Sequence, residues 1–263
     1  MADLAGILAD LEAESAELDE LVAHLDAAGW ATPTPAAGWT IAHQLGHLAW
    51  TDDLALRAIT DPAAVRVSLE RVVGDPYSFV DAAAGQRAEQ QPRQLLAGWR
   101  EGRGALADAL AGVPSGRKID WFGPPMNAAS MATARLMETW AHGQDVADAL
   151  AVLRMPTARL RHVAHLGVRT RDFSYRVHGR TPPEQPFRVE LTAPDGSQWE
   201  WGAAEAPHRV TGPALDFCLL ITRRRHRDDL AVRAEGAAAD EWLEIAQAFA
   251  GPPGDGRKPG QFR

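Results

Sequence analysis

The chain opens with apolar residues set three and four positions apart among acids: Leu4, Leu8, Leu11, Leu18, Val22 and Leu25. That spacing predicts an amphipathic helix over residues 2–28. The segment "GWATPTPAAGW" breaks the pattern, because clustered Gly and Pro punctuate helices. Thr40 is then placed to cap a second helix running to about Ile59, where "TDPAA" ends it. Residues 60–84 show no firm period. A third helix is predicted from about Gly85 to Leu110, interrupted near Pro92, and "GVPSGRKIDWFGPPMN" reads as loop. Asn127 or Ser130 can cap a fourth helix that extends to about Leu153. These elements predict an N-terminal four-helix bundle over residues 1–155.

Beyond Met155-Pro156 the texture changes. Residues 157–178 keep a helical period, but "FRVELTAPDGSQWEWG" alternates on either side of Asp195-Gly196, the mark of a hairpin. "HRVTG" and "DLAVRAEG" read as short strands, with helical patterns over 213–224 and 238–250. The second half, 156–263, therefore predicts a smaller α+β domain, and the fold class is α plus α+β. The tail "GPPGDGRKPGQFR" is expected to be mobile.

Composition narrows the function classes. Hydrophobic residues make up 46% and charged residues 24%, values of an ordinary soluble protein. Lys and Arg total 27 against 35 Asp and Glu, so no basic field attracts a phosphate backbone and nucleic acid is not an expected partner. A lone cysteine, Cys218, excludes an intrachain disulfide and a multi-cysteine zinc ribbon. The acidic start "MADLAGILADLEAESAELDE" does not resemble a signal peptide, and no apolar run approaches the ~20 residues of a membrane span. A cytoplasmic protein is expected, with no membrane partner.

Two helices carry candidate chemistry. In "ARLMETWAHGQDVADAL", Arg135, Glu138, His142 and Asp145 are spaced three, four and three, so all four fall within about 80° of one another on the helix. A Glu-x-x-x-His pair on one face can offer a carboxylate oxygen and an imidazole nitrogen to one cation, and both suit zinc or another first-row divalent metal. In "GWTIAHQLGHLAW", His43 and His47 lie within about 40° of each other and share a face with Trp50 and Leu54. If the two faces oppose each other, one of these histidines completes a three-ligand site with an open position. Each residue also has an ordinary reading: a hydrogen-bonded core histidine, an i,i+4 Glu-His pair, a surface Arg-Asp pair.

The order "AHQLGHLAW" followed by "RLMETWAHGQDVADAL" resembles the DinB-like metal-binding superfamily, in its mycothiol-dependent maleylpyruvate isomerase branch from actinobacteria. The likeness covers roughly residues 4–153, and the second half is similar, more weakly, to a sterol-carrier-like domain. The resemblance implies a bundle in which His47, Glu138 and His142 bind a divalent metal, with zinc favoured on availability. His43, Arg135 and Asp145 are then substrate-side or supporting residues. It further implies mycothiol as co-substrate, a small-molecule thiol and an electrophile as partners, and isomerisation or S-transfer as the reaction, with a homo-oligomer left open.

Two other readings stay open. A water activated in the same site would make a metal-dependent hydrolase, with His43 the general base that the motifs offer. Phe217, Leu219, Leu220 and Ile221 can line an apolar tunnel in a non-enzymatic small-molecule or lipid carrier, although such a run is ordinarily core. The neighbouring Arg223, Arg224, Arg225 and Arg227 form either a solvated face or a carboxylate-receiving cluster. Cys218 sits among apolar residues and reads as packing. Trp39, Trp50 and Trp140 read as core or pocket wall. "GWREGRG" lacks the Gly-Lys-Ser/Thr ending of a phosphate loop, which argues against nucleotide binding.

Overall fold

Local capping decides where the helices of the first half begin and end. The computed structural model describes residues 3–66, 76–251 and 254–262, in two compact units, Met1–Arg154 and Met155–Arg263. Helix α1 (Leu4–Val22) is shorter than the 2–28 predicted. The chain turns after it, and the Asp26 carboxylate accepts from Gly29 N at 2.8 Å to start a separate turn, α2 (Ala27–Trp30). Thr40 takes the N-cap position of α3 (Ile41–Thr60), and a further helical stretch, α4, is described over 62–66. The expected third helix is two. α5 (Pro76–Ala88) begins well before Gly85, within the stretch read as irregular, of which 67–75 lie outside the described residues. α6 (Pro92–Ala111) restarts at a proline, which has no N–H to lose in a first turn.

The segment read as loop contains a small hairpin, β1 (Ile119–Trp121) with β2 (Gly123–Met126), and Ile119 is buried in the core. Asn127 rather than Ser130 caps α7 (Ala128–Ala149), its Oδ1 accepting from Ser130 N at 2.8 Å. α7 stops at Ala149 instead of Leu153. Ala151 adopts φ 53° and Val152 N bonds back to Ala147 O at 2.9 Å, a C-terminal closure that leaves Leu153 exposed.

Helices α1, α3, α6 and α7 form the bundle: α3 packs on α6 and α7, and α1 on α7. One core cluster gathers Leu18, Ile41, Leu45, Leu48, Trp99 and Val146, and another Ile7, Leu54, Leu106, Leu110 and Met131. α5 lies against α3 at Gly46, where a Cβ would stand 2.7 Å from Ala84 O and 3.0 Å from Arg87 Cβ. The two helices approach there because residue 46 has no side chain.

The second unit is built on a four-stranded sheet of order β4-β3-β5-β6. β3 (Phe187–Thr192) and β4 (Gln198–Trp201) form the expected hairpin, with Gly196 at φ 83° and Asp195 Oδ1 accepting from Ser197 N at 2.9 Å. β5 (His208–Pro213) runs parallel to β3, and β6 (Arg233–Glu235) is antiparallel to β5. The helical 157–178 stretch divides at Thr170 into α8 (Leu160–Arg169) and α9 (Arg171–Val177). α10 (Ala214–Ile221) packs on α8 and the sheet, and α11 (Ala237–Ile245) on β5, β6 and α9. Phe217, Cys218, Leu219, Leu220 and Ile221 are all buried, so the apolar run belongs to the core of this unit. The tail is tethered where mobility was expected: Gly260 N donates to the Asp229 carboxylate at 2.8 Å, and the Arg225 guanidinium lies 4.2 Å over the Phe262 ring. Among the described residues, no helix is long and apolar enough to cross a membrane.

Candidate metal centre

Helices α3 and α7 face each other across the bundle and bring three of the predicted residues together. His47 Nε2 lies 3.5 Å from Glu138 Oε2, and His142 Nε2 lies 3.3 Å from the same oxygen. The two imidazole centroids are 4.6 Å apart, and one ligating atom from each of the three residues falls within 4.8 Å of the others. These separations are longer than the ~2.9 Å typical of an N–H···O bond. They match the edge of a tetrahedron whose metal bonds are ~2.0–2.1 Å, about 3.3 Å. Both histidines are 9% exposed and Glu138 is half-buried, so the donors are partly withdrawn from water yet open on one side.

Proton positions follow from the surrounding hydrogen bonds. The carbonyl of Trp39 can only accept, so the Thr34 hydroxyl donates to it at 3.0 Å. Thr34 must then accept from the Gln44 amide nitrogen, 2.8 Å away, which turns the amide oxygen toward His142. That oxygen lies 2.5 Å from His142 Nδ1. An oxygen acceptor there places a proton of His142 on Nδ1, so the ring turns Nε2 to Glu138, as a donor when the imidazole is protonated and as a lone pair when it is neutral. Burial pushes the Glu138 carboxyl up, but hydrogen bonds and charge from His142 and His47 act more strongly and hold it well below the usual carboxylate range. His47 Nδ1 is buried with no hydrogen-bond partner among the described residues. Two imidazole nitrogens and an ionised carboxylate oxygen turned toward one point fit a divalent cation, and zinc is within that class.

Trp39 covers the group. Its ring is stacked 6.0 Å from His142 and lies 5.5 Å from His47, and its indole N–H donates to Asp81 Oδ1 at 2.9 Å. Trp50 meets His47 edge-on at 5.8 Å, whereas Trp140 is buried on α7.

The other predicted residues have distinct places. His43 Nδ1 accepts from Thr40 N at 3.3 Å and lies 2.9 Å from the Thr40 hydroxyl, so it acts as the third residue of a capping box in which glutamate is usual. Arg135 directs its guanidinium at α3: Nε donates to Asp52 Oδ1 at 2.8 Å and Nη2 to the Thr51 hydroxyl at 2.7 Å. Thr51 in turn donates to the carbonyl of His47 at 2.8 Å. Arg135 thus ties α7 to the helix that carries His47. Asp145 is buried on α7. Sequence reasoning missed Gln44, Thr34, Thr51, Asp52 and Asp81. The one available signal was Arg135 itself, since an arginine on a helix face that packs into a bundle needs a carboxylate opposite.

Comparison with known proteins bears on both halves. The family model described as the mycothiol maleylpyruvate isomerase N-terminal domain matches residues 11–147, a span that includes His47, Glu138 and His142. Over 183–235 the matching family model is the one described as wyosine base formation, where a sterol-carrier likeness had been expected. Two uncharacterized proteins of Mycobacterium tuberculosis, from strains CDC 1551 and H37Rv, are each 59% identical over 257 residues, covering 98% of this chain and 100% of their own. A crystal structure of the mycothiol-dependent maleylpyruvate isomerase matches with a TM-score of 0.60 at 14% identity, over 89% of this chain and 93% of that one. A mutant of the same isomerase gives 0.59 at 13% identity, over the same shares. At such identity the two structures speak to the fold.

Proposed function

The chain belongs to the family of the mycothiol maleylpyruvate isomerase N-terminal domain, and from that premise we propose that it is a metal-dependent enzyme that uses a low-molecular-weight thiol such as mycothiol. The reaction is the isomerisation of a small electrophile or the transfer of the thiol sulfur to it, in the cytoplasm. The observation that carries this reading is the convergence of His47 Nε2, His142 Nε2 and Glu138 Oε2 at 3.3–3.5 Å. We assign these three residues as the ligands and favour zinc. A divalent cation held there supplies the positive charge that keeps a thiol in its nucleophilic thiolate form near neutral pH.

The chain's own residues prepare that chemistry. Gln44 accepts from His142 Nδ1 and so turns its Nε2 toward the ligand group. Glu138, held well below the usual carboxylate range by the two histidines against the effect of its burial, brings a negative charge to the group. Arg135 and Thr51 fix the backbone at His47, and Asp145 supports α7 one turn beyond His142. Trp39 walls the site from one side and limits the access of water to the reacting sulfur.

The hydrolytic reading loses support because it needs a general base. His43, the residue offered for that role, has Nδ1 engaged in the cap of α3. The carrier reading loses support because its apolar run is core.

Two measurements test the proposal. Elemental mass spectrometry on untagged protein is expected to give one equivalent of metal per chain, lost in His47→Ala with the helical circular dichroism retained. Turnover of an electrophile is expected to require both the metal and an added thiol. Wild-type protein that neither contains nor takes up metal would overturn the ligand assignment, and full turnover without thiol would overturn the reaction class.

A further inference from the structure

A second feature of the first unit lies on the far side of Trp50 from the candidate metal centre. Where α3 and α5 diverge from their contact at Gly46, they leave a cavity of 260 Å³ walled by Trp50, Leu54, Val65, Phe79 and Ala83. Three charged side chains stand at its edge. Arg57 Nη2 is 2.9 Å and Arg87 Nη2 3.4 Å from the same oxygen of Asp53, and Arg57 Nε donates to the other oxygen at 3.2 Å. Arg57 and Asp53 are on α3, and Arg87 is on α5.

The chemistry of that edge is unbalanced. Among the described residues two guanidinium groups meet one carboxylate, so the trio carries one net positive charge, and a single carboxylate cannot satisfy the donors of two forks. Behind them the wall is aromatic, with the Trp50 and Phe79 centroids 5.8 Å apart. The volume falls below the ~300–1,000 Å³ of pockets for drug-sized ligands, which sets the ligand's size. We propose that this cavity binds a small organic carboxylate with a flat, apolar body, the carboxylate on Arg87 and Arg57 and the body against Trp50 and Phe79. The assignment is independent of the metal reading, although Trp50 touches both sites.

The probe is trans-cinnamate, with cinnamyl alcohol as its neutral isostere, titrated into the full-length protein by calorimetry and by tryptophan fluorescence. Cinnamate is expected to bind saturably at one site, about tenfold more tightly than the alcohol, as a charge-assisted pair in a partly desolvated site provides. Arg87→Gln is expected to weaken cinnamate by about tenfold and leave the alcohol unchanged. Asp53→Asn has the opposite expectation: with the competing carboxylate gone, cinnamate binds several-fold more tightly. If the three charges only tie α3 to α5, Asp53→Asn brings no such gain, and an unchanged or weakened affinity overturns the proposal. No saturable binding of cinnamate, equal binding of acid and alcohol, or undiminished binding in Arg87→Gln also overturns it. Binding that persists in His142→Ala, with chelator present, supports the cavity; binding abolished by that substitution places the carboxylate at the metal centre and overturns it.

Discussion

Two polar clusters sit on the same pair of helices, α3 and α7, and they end differently. Around Arg135 the side chains close on one another. The guanidinium reaches Asp52 and Thr51, Trp99 Nε1 donates to the other Asp52 oxygen at 3.2 Å, and Thr51 donates to the His47 carbonyl. Around Glu138 the set is open to a cation, with two imidazole nitrogens and a carboxylate oxygen turned to one point. The Nδ1 proton of His142 points to Gln44, so its Nε2 faces the carboxylate oxygen at 3.3 Å, where a proton or a metal cation can join the two. Both clusters are buried or nearly so and contain the same kinds of residue. The geometry separates the two: a carboxylate fixed on a guanidinium is a structural tie, whereas two imidazole nitrogens and a carboxylate oxygen turned to one point are a group that a metal cation can complete.

The largest expected effect is at the open cluster. His142→Ala should reduce bound metal from one equivalent to none by elemental analysis, while metal-free variant and metal-free wild type unfold in urea within about 1 kcal/mol of each other. The closed cluster should behave in reverse. Asp52→Ala leaves the Arg135 guanidinium buried and unpaired, which costs on the order of 3–5 kcal/mol in urea unfolding, with any metal still bound in the folded fraction. A loss under 1 kcal/mol there would erase the distinction between the clusters.

How far the sequence foretold this depends on the range of the interaction. Thr40, Asn127 and the Asp195-Gly196 turn were legible because caps and turns act within three residues. The stripe of Glu138 and His142 was legible because the helical period alone puts them on one face. Strands β1 and β2 were not, since three or four residues offer too few alternations to register against a proline-rich background. Gln44 was not legible either. Its meaning depends on α3 standing 2.5 Å from a side chain of α7, nearly a hundred residues away in sequence, and no local pattern encodes that. His43 carries two signals at one position: it stands three residues after Thr40, the capping-box spacing, and one turn before His47. The tail's tether depends on Asp229 and Arg225, whose positions only the folded sheet unit provides.

Gln44 sharpens the comparison, since it belongs to the open cluster without being one of its proposed ligands. Gln44→Leu keeps a side chain of similar size but leaves His142 Nδ1 without an acceptor. Metal affinity, measured by competition with a chromophoric chelator, should fall about 10–100-fold, with stoichiometry restored at saturating metal. Gln44→Glu retains an acceptor for Nδ1 and should recover most of the loss. An affinity unchanged in Gln44→Leu would show that the tautomer of His142 is set by something other than this bond.

The smallest effect comes from a third cluster, which repeats the closed chemistry nearer the surface. Asp19 on α1 accepts two hydrogen bonds from Arg100, at 2.7 and 2.5 Å, and lies 3.2 Å from Arg103. The Arg100 hydrogen bond is the main reason that the Asp19 carboxyl is held below its ordinary value; burial opposes the shift, and the charges of both arginines add to it. A folded-state pKa below the unfolded one means that the contribution is present above the unfolded value, near pH 3.8, and is lost as pH falls through the lowered one. Arg100 is about half exposed, so solvent and salt screen the pair. Asp19→Asn should therefore cost no more than about 1 kcal/mol at pH 7, less in high salt, and nothing once the pH is below the folded-state value. Asp52→Ala, measured alongside, should keep a large cost in high salt, because its partner Arg135 is 2% exposed. If the two costs respond equally to salt, burial is not what makes the Arg135 cluster rigid.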